Sequence, residues 1–443
     1  MGRRNALLLW PALLDYSHLA GSGAPHLYWG ISSLCVESLP GPLLGLFSYL
    51  GKIVLNRFSP SFSILAVAAL WVSLEYSRSH LFTGFPWGIL GYSFWNVPPL
   101  LQTAEWLGVY GVSFFIILFN LNFFFLLKKK IPVIPWAIFV ILFASNFFLL
   151  SQDLKQSGDK KTIAILQGNI DQYKKWSDAY IQEILITYDA LVKEKNVMKS
   201  DLILWPESAL PGWFPDEFFI AEWVRSVVKN SNRPHLLGSV TDYRQARNAA
   251  FLFSSDGKVL AHYDKTHLVP FGEFVPLPSL FGKIAPHLNQ LGNFSAGKEN
   301  KLLELEPLKM GVNICYEAVF PNLVRKQVKN GANLLINITN DGWYLDTAAP
   351  LQHFSMNVLR AVENRRYVVR AANTGISGAI DPFGKIAAIT ELNKKMAILV
   401  QVCPIEKKTI YTQRGDLFAA ACALLSLTAI VFSLKRKNTH ENV

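Results

Sequence analysis

The stretch that decides the fold is Gly311-Val-Asn-Ile-Cys315-Tyr-Glu317-Ala-Val-Phe320. Its first half, with its β-branched residues, predicts a buried strand, and the residues after Cys315 favour a helix. A buried, inert thiol is the commonest fate of a cysteine in such a place. A strand-to-helix junction, however, leaves backbone N–H groups free, and these favour a thiolate and an oxyanion. Cys315 is therefore a candidate nucleophile.

Two earlier stretches carry the groups that such a nucleophile needs. Glu207 ends the strand-like Leu202-Ile-Leu-Trp-Pro-Glu207-Ser-Ala209, in which a proline fixes the turn. Lys265 lies in His262-Tyr-Asp-Lys265-Thr-His267-Leu-Val-Pro-Phe-Gly-Glu273-Phe-Val-Pro276, a loop stiffened by proline and glycine. Taken alone, the glutamate would be a solvated strand end and the lysine segment a surface loop.

Together the three stretches predict acyl-transfer chemistry. A free cysteine is only a few per cent thiolate at pH 7, so it needs a base, and Glu207 can serve if burial raises its pKa. Lys265 and the backbone N–H of Tyr316 could stabilise the oxyanion of a tetrahedral intermediate. The sequence contains no GxSxG motif. We expect His262 and His267 to be structural.

The region around these stretches, residues 151–413, alternates β-like and helical patterns, which predicts a layered α/β domain. Turns at Asp256-Gly257 and Asp381-Pro-Phe-Gly384 predict hairpins. The predicted strands are 162–167, 202–205, 236–240, 250–254, 259–263, 310–314, 334–338, 367–372 and 385–389. The predicted helices lie near 177–195, 216–230, 318–330 and 350–365.

The flanking regions have the composition of membrane spans. Of the 443 residues, 51% are hydrophobic and only 17% are charged. Residues 1–150 form an N-terminal membrane region, and residues 414–443 form a membrane helix with a basic cytoplasmic tail. The predicted spans, each near the ~20 residues that cross a bilayer, are 28–51, 62–80, 104–127, 131–150 and 417–434.

The basic residues give the chain a net charge of +11, yet they cluster at the ends of apolar runs. This placement fits the positive-inside rule better than a nucleic-acid partner. If Lys128–Lys130 and Lys435–Lys437 are cytoplasmic, the domain between them lies outside, as does the 81–103 loop. The same parity predicts a cytoplasmic turn at Lys52–Arg57.

The four cysteines form no CxxC pair, so neither a zinc ribbon nor a redox dithiol is supported. Cys403 lies in a strand-like stretch, and a Cys315–Cys403 disulfide stays open as a minor alternative to a free nucleophile. We expect neither a metal nor a diffusible cofactor.

The order Glu, Lys, Cys in the settings WPES, HYDKTHLVPFGEFVP and ICYE resembles the carbon–nitrogen hydrolase (nitrilase) superfamily. With membrane spans on both sides, the chain resembles that superfamily's membrane-bound apolipoprotein N-acyltransferases. The resemblance runs from about residue 60 to the end, and includes Gln167-Gly-Asn169 and Asn340-Asp-Gly-Trp343. It implies a multi-span α-helical membrane region plus an α/β nitrilase-like αββα sandwich. The N-terminal membrane region is expected to be shorter than is usual in the family.

The resemblance also implies roles for individual residues. Glu207 would be the general base, Lys265 the oxyanion-stabilising lysine and Cys315 the nucleophile. Glu273 would support the lysine and the base, and Trp176 would lie on a mobile arm over the site. Tyr316 and Glu317 match residues beside the nucleophile.

The activity implied by the resemblance moves a fatty acyl chain from a phospholipid, through a cysteine thioester, to the α-amine of the S-diacylglyceryl-cysteine of a lipoprotein. The protein would be a monomer in the bacterial inner membrane, with residues 151–413 on the periplasmic side. A membrane-tethered amidase that passes the acyl group to water would use the same residues and stays an alternative. A transporter is disfavoured, because the spans carry few charges beyond Glu75 and Glu105. The intact site residues argue against a non-catalytic membrane protein.

Overall fold

The computed structural model describes residues 40–155, 158–172, 174–175, 177–241, 244–276, 294–344 and 347–438. The N-terminal part of this structure is helical. Its helices are α1 (Pro40–Arg57), α2 (Pro60–His80), α3 (Ala104–Leu127) and α4 (Val133–Leu150). At the other end of the chain, α10 (Leu417–Asn438) is again long and apolar.

Within the described residues, four helices are long and apolar enough to cross a membrane, namely α2, α3, α4 and α10. Their outer faces expose large hydrophobic side chains such as Phe123, Phe147 and Leu424. Water would penalise so much exposed apolar surface, whereas lipid tails accept it. These helices match four of the five predicted spans.

The predicted turn at Lys52–Arg57 is wrong, because α1 remains helical as far as Arg57 and the chain breaks at Phe58 and Ser59 instead. Lys52 is exposed on this helix. A lysine can extend its ammonium along a helix towards water, so a basic residue in an apolar run need not mark a turn. The first part of the predicted span 28–51 lies outside the described residues.

Between the membrane helices lies a domain of two six-stranded sheets. One sheet has the order β12-β1-β2-β3-β4-β5, and the other β11-β10-β9-β8-β7-β6. The strands are β1 (Lys161–Gln167), β2 (Leu202–Leu204), β3 (His235–Thr241), β4 (Arg247–Phe253), β5 (Val259–Asp264), β6 (Leu303–Leu305), β7 (Leu308–Ile314), β8 (Leu334–Thr339), β9 (Val368–Ala372), β10 (Gly378–Ile380), β11 (Ile386–Ile389) and β12 (Met396–Val402). The helices are α5 (Ile181–Val192), α6 (Phe218–Ser231), α7 (Pro321–Lys329), α8 (Ala349–Asn364) and α9 (Ile410–Arg414).

The alternation of side chains along the strands produces the layers. In β1, Ala164 and Leu166 pack in a core with α5 and α6, whereas Ile163 and Ile165 belong to the core that contains the second sheet. A strand buried on both faces therefore reads as a continuous apolar run. The two sheets lie face to face with helices outside, so the predicted αββα sandwich is confirmed.

All nine predicted strands and all four predicted helices of this domain are present, with their ends shifted by a few residues. The predicted hairpin turns at Asp256-Gly257 and Asp381–Gly384 join β4 to β5 and β10 to β11. The strands that were not predicted are β6, β10 and β12. The first two have only three residues each, which is too short for a period-2 pattern to stand out.

A buried polar joint connects the start of α3 to the sandwich. Glu105 pairs with Arg365 Nη2 at 2.7 Å and with Lys407 Nζ at 2.8 Å. The backbone N–H of Val109 donates to Glu363 Oε1 over 2.9 Å. The ion pairs hold the segment before a kink at Gly108, and the Val109 bond holds the start of the helix beyond it, so together they attach α3 to the sandwich.

The loop between α2 and α3 also contacts the sandwich. Trp87 Nε1 donates to Gln352 Oε1 over 2.7 Å, and Gln102 Nε2 donates to the carbonyl of Phe383 over 2.9 Å. The 81–103 loop and the sandwich therefore lie on the same side of the membrane helices, as the charge pattern predicted.

Candidate active site

Three strand ends bring the predicted site residues together. Glu207 follows β2, Lys265 directly follows β5, and Cys315 directly follows β7. Strands β2 and β5 belong to one sheet and β7 to the other, so the site lies where the ends of both sheets meet. All three side chains are buried, with exposed fractions of 6%, 1% and 9%.

Lys265 lies between two carboxylates. Its Nζ is 2.8 Å from Glu273 Oε1 and 3.7 Å from Glu207 Oε1. Glu273 is anchored in turn by the backbone N–H of Val269, which donates to its Oε2 over 2.8 Å. The structure thus places Glu273 beside Lys265, where it fixes the position of the ammonium group.

The charges of these groups are set by burial and by one another. Burial disfavours the charged form of Lys265, but Glu273 and Glu207 outweigh it and raise the pKa of the lysine, which stays cationic. Burial is also the main cause that raises the pKa of Glu207, against the opposing effect of Lys265. A carboxylate with a raised pKa is a better base and a better acid near neutral pH.

Burial, followed by the charge of Glu207, raises the pKa of Cys315, while Lys265 opposes the rise. The resting site therefore holds a neutral thiol near a basic glutamate. Nucleophilic attack from this state requires transfer of the thiol proton to a base. Glu207 is the carboxylate whose charge acts most strongly on the thiol.

The backbone at Cys315 is held in an unusual conformation, with a φ of +52°. Non-glycine residues rarely adopt this left-handed region, and such strain persists only where surrounding contacts impose it. His353 Nε2 lies 3.1 Å from the Cys315 carbonyl, and Asn337 Nδ2 donates to the same oxygen over 3.4 Å. His353 Nδ1 lies 3.0 Å from Asp341 Oδ1, whose other oxygen pairs with Arg370 at 2.6 Å.

Glu317 connects the turn at Cys315 to the loop that follows Lys265. Its Oε1 accepts from the backbone N–H groups of Thr266 at 2.6 Å and His267 at 3.0 Å, and from Tyr263 Oη at 2.9 Å. Its Oε2 accepts from the backbone N–H of Ile314 at 2.8 Å. The Glu317 side chain is fully buried, so these bonds hold the segments of Cys315 and Lys265 in fixed positions relative to each other.

Sequence reasoning missed three further residues around Glu207. Asn248 Nδ2 donates to Glu207 Oε1 over 2.5 Å, and the backbone N–H of Asn340 donates to Oε2 over 2.7 Å. Buried Lys175 donates to the Glu207 carbonyl over 3.2 Å, and burial lowers the pKa of this lysine to about 8. For Asn340, the sequence did offer a signal, because Asn340-Asp-Gly-Trp343 is one of the motifs that resemble the family.

Two other predictions concern Trp176 and the cysteines. Trp176 lies outside the described residues, and its position over the site remains a prediction. Cys315 and Cys403 are both free thiols, so the alternative of a disulfide between them is wrong. Within the part of the chain that the structure describes, no group of three or more His, Cys, Asp or Glu side chains is arranged to hold a metal ion.

Two family models match this chain. The carbon–nitrogen hydrolase family model matches residues 162–405, and the model of the apolipoprotein N-acyltransferase N-terminal domain matches residues 7–122. Saccharomyces cerevisiae Nit3, a nitrilase-superfamily crystal structure, aligns at 20% identity and a TM-score of 0.43 over 57% of this chain and 93% of its own. The two family models, together with the apolar helices, identify the chain as a membrane protein that carries a carbon–nitrogen hydrolase domain.

Two relatives that align with most of the chain identify its family more narrowly. The Geobacter metallireducens apolipoprotein N-acyltransferase is 37% identical over 397 residues, covering 85% of this chain and 75% of the relative. The protein of the same name from Rickettsia prowazekii is 29% identical over 460 residues, covering 96% of this chain and 90% of the relative. The chain belongs to the apolipoprotein N-acyltransferase family.

Proposed function

We propose that this protein is an apolipoprotein N-acyltransferase that moves a fatty acyl chain from a phospholipid, through a Cys315 thioester, to the α-amine of a lipoprotein's N-terminal S-diacylglyceryl-cysteine. Glu207 is the general base, Lys265 stabilises the oxyanion, and Glu273 positions the lysine. The observation that carries the proposal is the buried convergence of Glu207, Lys265 and Cys315 in a domain tethered to membrane helices.

In the first step, Glu207 takes the thiol proton and the Cys315 sulfur attacks the carbonyl carbon of a phospholipid ester. A C–S bond forms, and the negative charge that develops on the carbonyl oxygen faces Lys265 and the backbone N–H of Tyr316. Collapse of the tetrahedral intermediate breaks the ester C–O bond. The departing lysophospholipid oxygen takes the proton back from Glu207, which leaves a thioester on the enzyme.

In the second step, the lipoprotein α-amine attacks the thioester carbon. A free α-amine has a pKa of about 8, so a substantial fraction is neutral near pH 7 without further tuning. Glu207 accepts the amine proton, the C–N bond forms, and the C–S bond breaks. The leaving thiolate of Cys315 recovers a proton from Glu207, and ping-pong kinetics follow.

The same proposal places the protein in a bacterial inner membrane with residues 151–413 on the periplasmic side, acting as a monomer. The basic residues support this orientation, since Lys128–Lys130 follow α3 and Lys435 lies in the last turn of α10, both at the helix ends away from the sandwich. The donor would then be a phospholipid of the outer leaflet, and the acceptor a lipoprotein exposed at the same surface.

The test is intact-mass analysis of the purified full chain after incubation with phospholipid and no acceptor. We expect an added acyl mass that is absent in Cys315→Ala, retained in Cys403→Ala, and discharged by a diacylglyceryl-cysteinyl peptide. Equal loss of the adduct in both variants would contradict the assignment of the nucleophile. Rapid discharge by water alone, with no gain from the peptide, would favour the membrane-tethered amidase.

A further inference from the structure

The end of strand β8 lies directly beside Cys315. Strands β7 and β8 run parallel, and their register pairs Ile314 with Ile338. The residues that follow this pair are Cys315 and Thr339, which makes Thr339 the neighbour of the nucleophile across the sheet. Paired residues of neighbouring strands point to the same face and lie about 5 Å apart. The fully buried Thr339 side chain is therefore next to the Cys315 side chain.

The Thr339 hydroxyl has two partners in the site. It donates to Asp341 Oδ1 over 3.1 Å. Burial is the main cause that raises the pKa of the Cys315 thiol, and a side-chain hydrogen bond with Thr339 opposes this rise. A bond that lowers the pKa of a thiol stabilises its thiolate, so the hydroxyl acts as a donor towards the sulfur. Because a hydroxyl has a single proton that rotates to suit its acceptors, it can turn from Asp341 to a charged sulfur.

Asp341 can release this hydroxyl without losing all its partners. Its Oδ1 lies 3.0 Å from His353 Nδ1, and its Oδ2 pairs with Arg370 Nη2 at 2.6 Å. Burial would raise the pKa of Asp341, but Arg370 and His353 outweigh it and lower that pKa. The Asp341 carboxylate is therefore too weak a base to take the thiol proton through Thr339. The hydroxyl keeps its own proton, and Glu207 remains the proton acceptor.

Main-chain bonds fix the position of Thr339. Its carbonyl accepts from the backbone N–H of Asn373 over 3.0 Å, and the N–H of the next residue, Asn340, donates to Glu207 Oε2 over 2.7 Å. The movement required of Thr339 is only a rotation of its hydroxyl hydrogen. A donor that is already in place needs little reorganisation when charge develops on its acceptor.

We propose that Thr339 is a further catalytic residue, whose hydroxyl donates a hydrogen bond to the Cys315 sulfur whenever that sulfur is negatively charged. The inference rests on the proposed function, since it adds a group to the reaction of Cys315. In the first step the thiol proton passes to Glu207, and the hydroxyl turns from Asp341 to the thiolate. Formation of the C–S bond moves the charge to the carbonyl oxygen, and the hydroxyl returns to Asp341. In the second step the C–S bond breaks, and the departing thiolate accepts the same bond until it recovers its proton.

The test measures alkylation of Cys315, which requires the thiolate and no lipid. The purified full chain in detergent is treated with iodoacetamide, and peptide mass mapping follows the label on Cys315 with time. We expect Thr339→Val, which has nearly the same shape and no hydroxyl, to lower the alkylation rate about tenfold, because a hydrogen bond to a charged group is equivalent to about one pKa unit or more. Thr339→Ser keeps the hydroxyl and should keep most of the wild-type rate.

Thr390→Val is the matched control. Thr390 is also buried, and its hydroxyl donates to Gln167 Oε1 over 2.8 Å, so this variant loses a buried hydrogen bond that does not involve Cys315. Its alkylation rate should equal that of the wild type even if its thermal midpoint falls. Equal losses of rate in Thr339→Val and Thr390→Val would indicate a general loosening of the fold and would overturn the inference. An unchanged rate in Thr339→Val, or an equal loss in Thr339→Ser, would also overturn it.

Acyl transfer gives a second readout, which separates this inference from the proposed function. With phospholipid and no acceptor, Thr339→Val should form the acyl adduct about tenfold more slowly than the wild type. Alkylation that depends on the Thr339 hydroxyl, in a protein whose wild type forms no acyl adduct, would refute the proposed function and leave the bond to the sulfur standing. An acyl adduct that forms equally fast in the wild type and in Thr339→Val would refute the inference alone.

Discussion

Replacing Asn248 by alanine is expected to move the acid limb of the acylation rate–pH profile upward by about one to two pH units. Asn248 Nδ2 donates to Glu207 Oε1 over 2.5 Å, and both side chains are buried. A hydrogen bond to a charged group is worth about 1.5–3 kcal/mol, and one pKa unit corresponds to about 1.4 kcal/mol. The bond stabilises the carboxylate, so its loss favours the protonated acid.

The direction of this shift follows from the role proposed for Glu207 as the general base. Acylation needs the ionised carboxylate, so the rate falls as the pH drops through the Glu207 pKa, which burial already raises. A further rise in the Glu207 pKa moves this decline of the acylation rate to higher pH. The backbone should be undisturbed, because the Asn248 carbonyl, which accepts from the Lys265 N–H over 2.8 Å, is kept in the alanine variant.

The measurement is the rate of acyl-adduct formation on the enzyme, followed by rapid quench and intact mass from acid to neutral pH. Asn230→Ala, at an exposed position on α6, is the control and should keep the wild-type profile. A slower reaction with an unmoved acid limb would mean that Asn248 only positions Glu207. A limb displaced to lower pH would refute the electrostatic argument altogether.

Gly108→Ala should lower the thermal midpoint by several degrees, because a Cβ there would lie 2.5 Å from the Tyr411 ring at a φ of +69°. Gly45→Ala, with nothing within 4 Å, is its control, and equal midpoints would contradict the argument. Burial lowers the pKa of Lys175 to about 8, so at higher pH the unfolded chain holds a proton that the folded chain lacks. Relative to the Lys175→Met variant, the free energy of unfolding of the wild type should therefore rise between about pH 8 and pH 10. Chemical denaturation at each pH measures this, and a difference between the two proteins that stays constant with pH would refute it.

The sequence was most informative where a local pattern alone decides the structure. The strands that end near Glu207, Lys265 and Cys315 are apolar runs closed by turn residues, and each was predicted to within a few residues. Strand ends in a layered α/β fold point towards a common edge, so three such motifs could be placed in one site before any distance was known. The membrane helices were predicted equally well, because length and composition are enough to recognise a membrane span.

The sequence was least informative about partners that are distant along the chain. Asn340 binds Glu207 from 133 positions away, and His353 reaches the Cys315 carbonyl from 38 positions away. Asparagine and histidine are common in turns and helices, so nothing local marks these as site residues.

The joint at Glu105 has a mechanical consequence. The backbone N–H of Val109, at the start of the helix beyond the kink at Gly108, is bonded to buried Glu363 of the sandwich, so a thicker or thinner bilayer that tilts this helix should also tilt the sandwich. The depth of the Cys315 sulfur relative to the lipid surface then depends on the tilt of α3, because the helix and the sandwich are joined directly and not by a flexible linker. Membrane thickness should thus act on the enzyme as a control on which ester carbonyls come within reach.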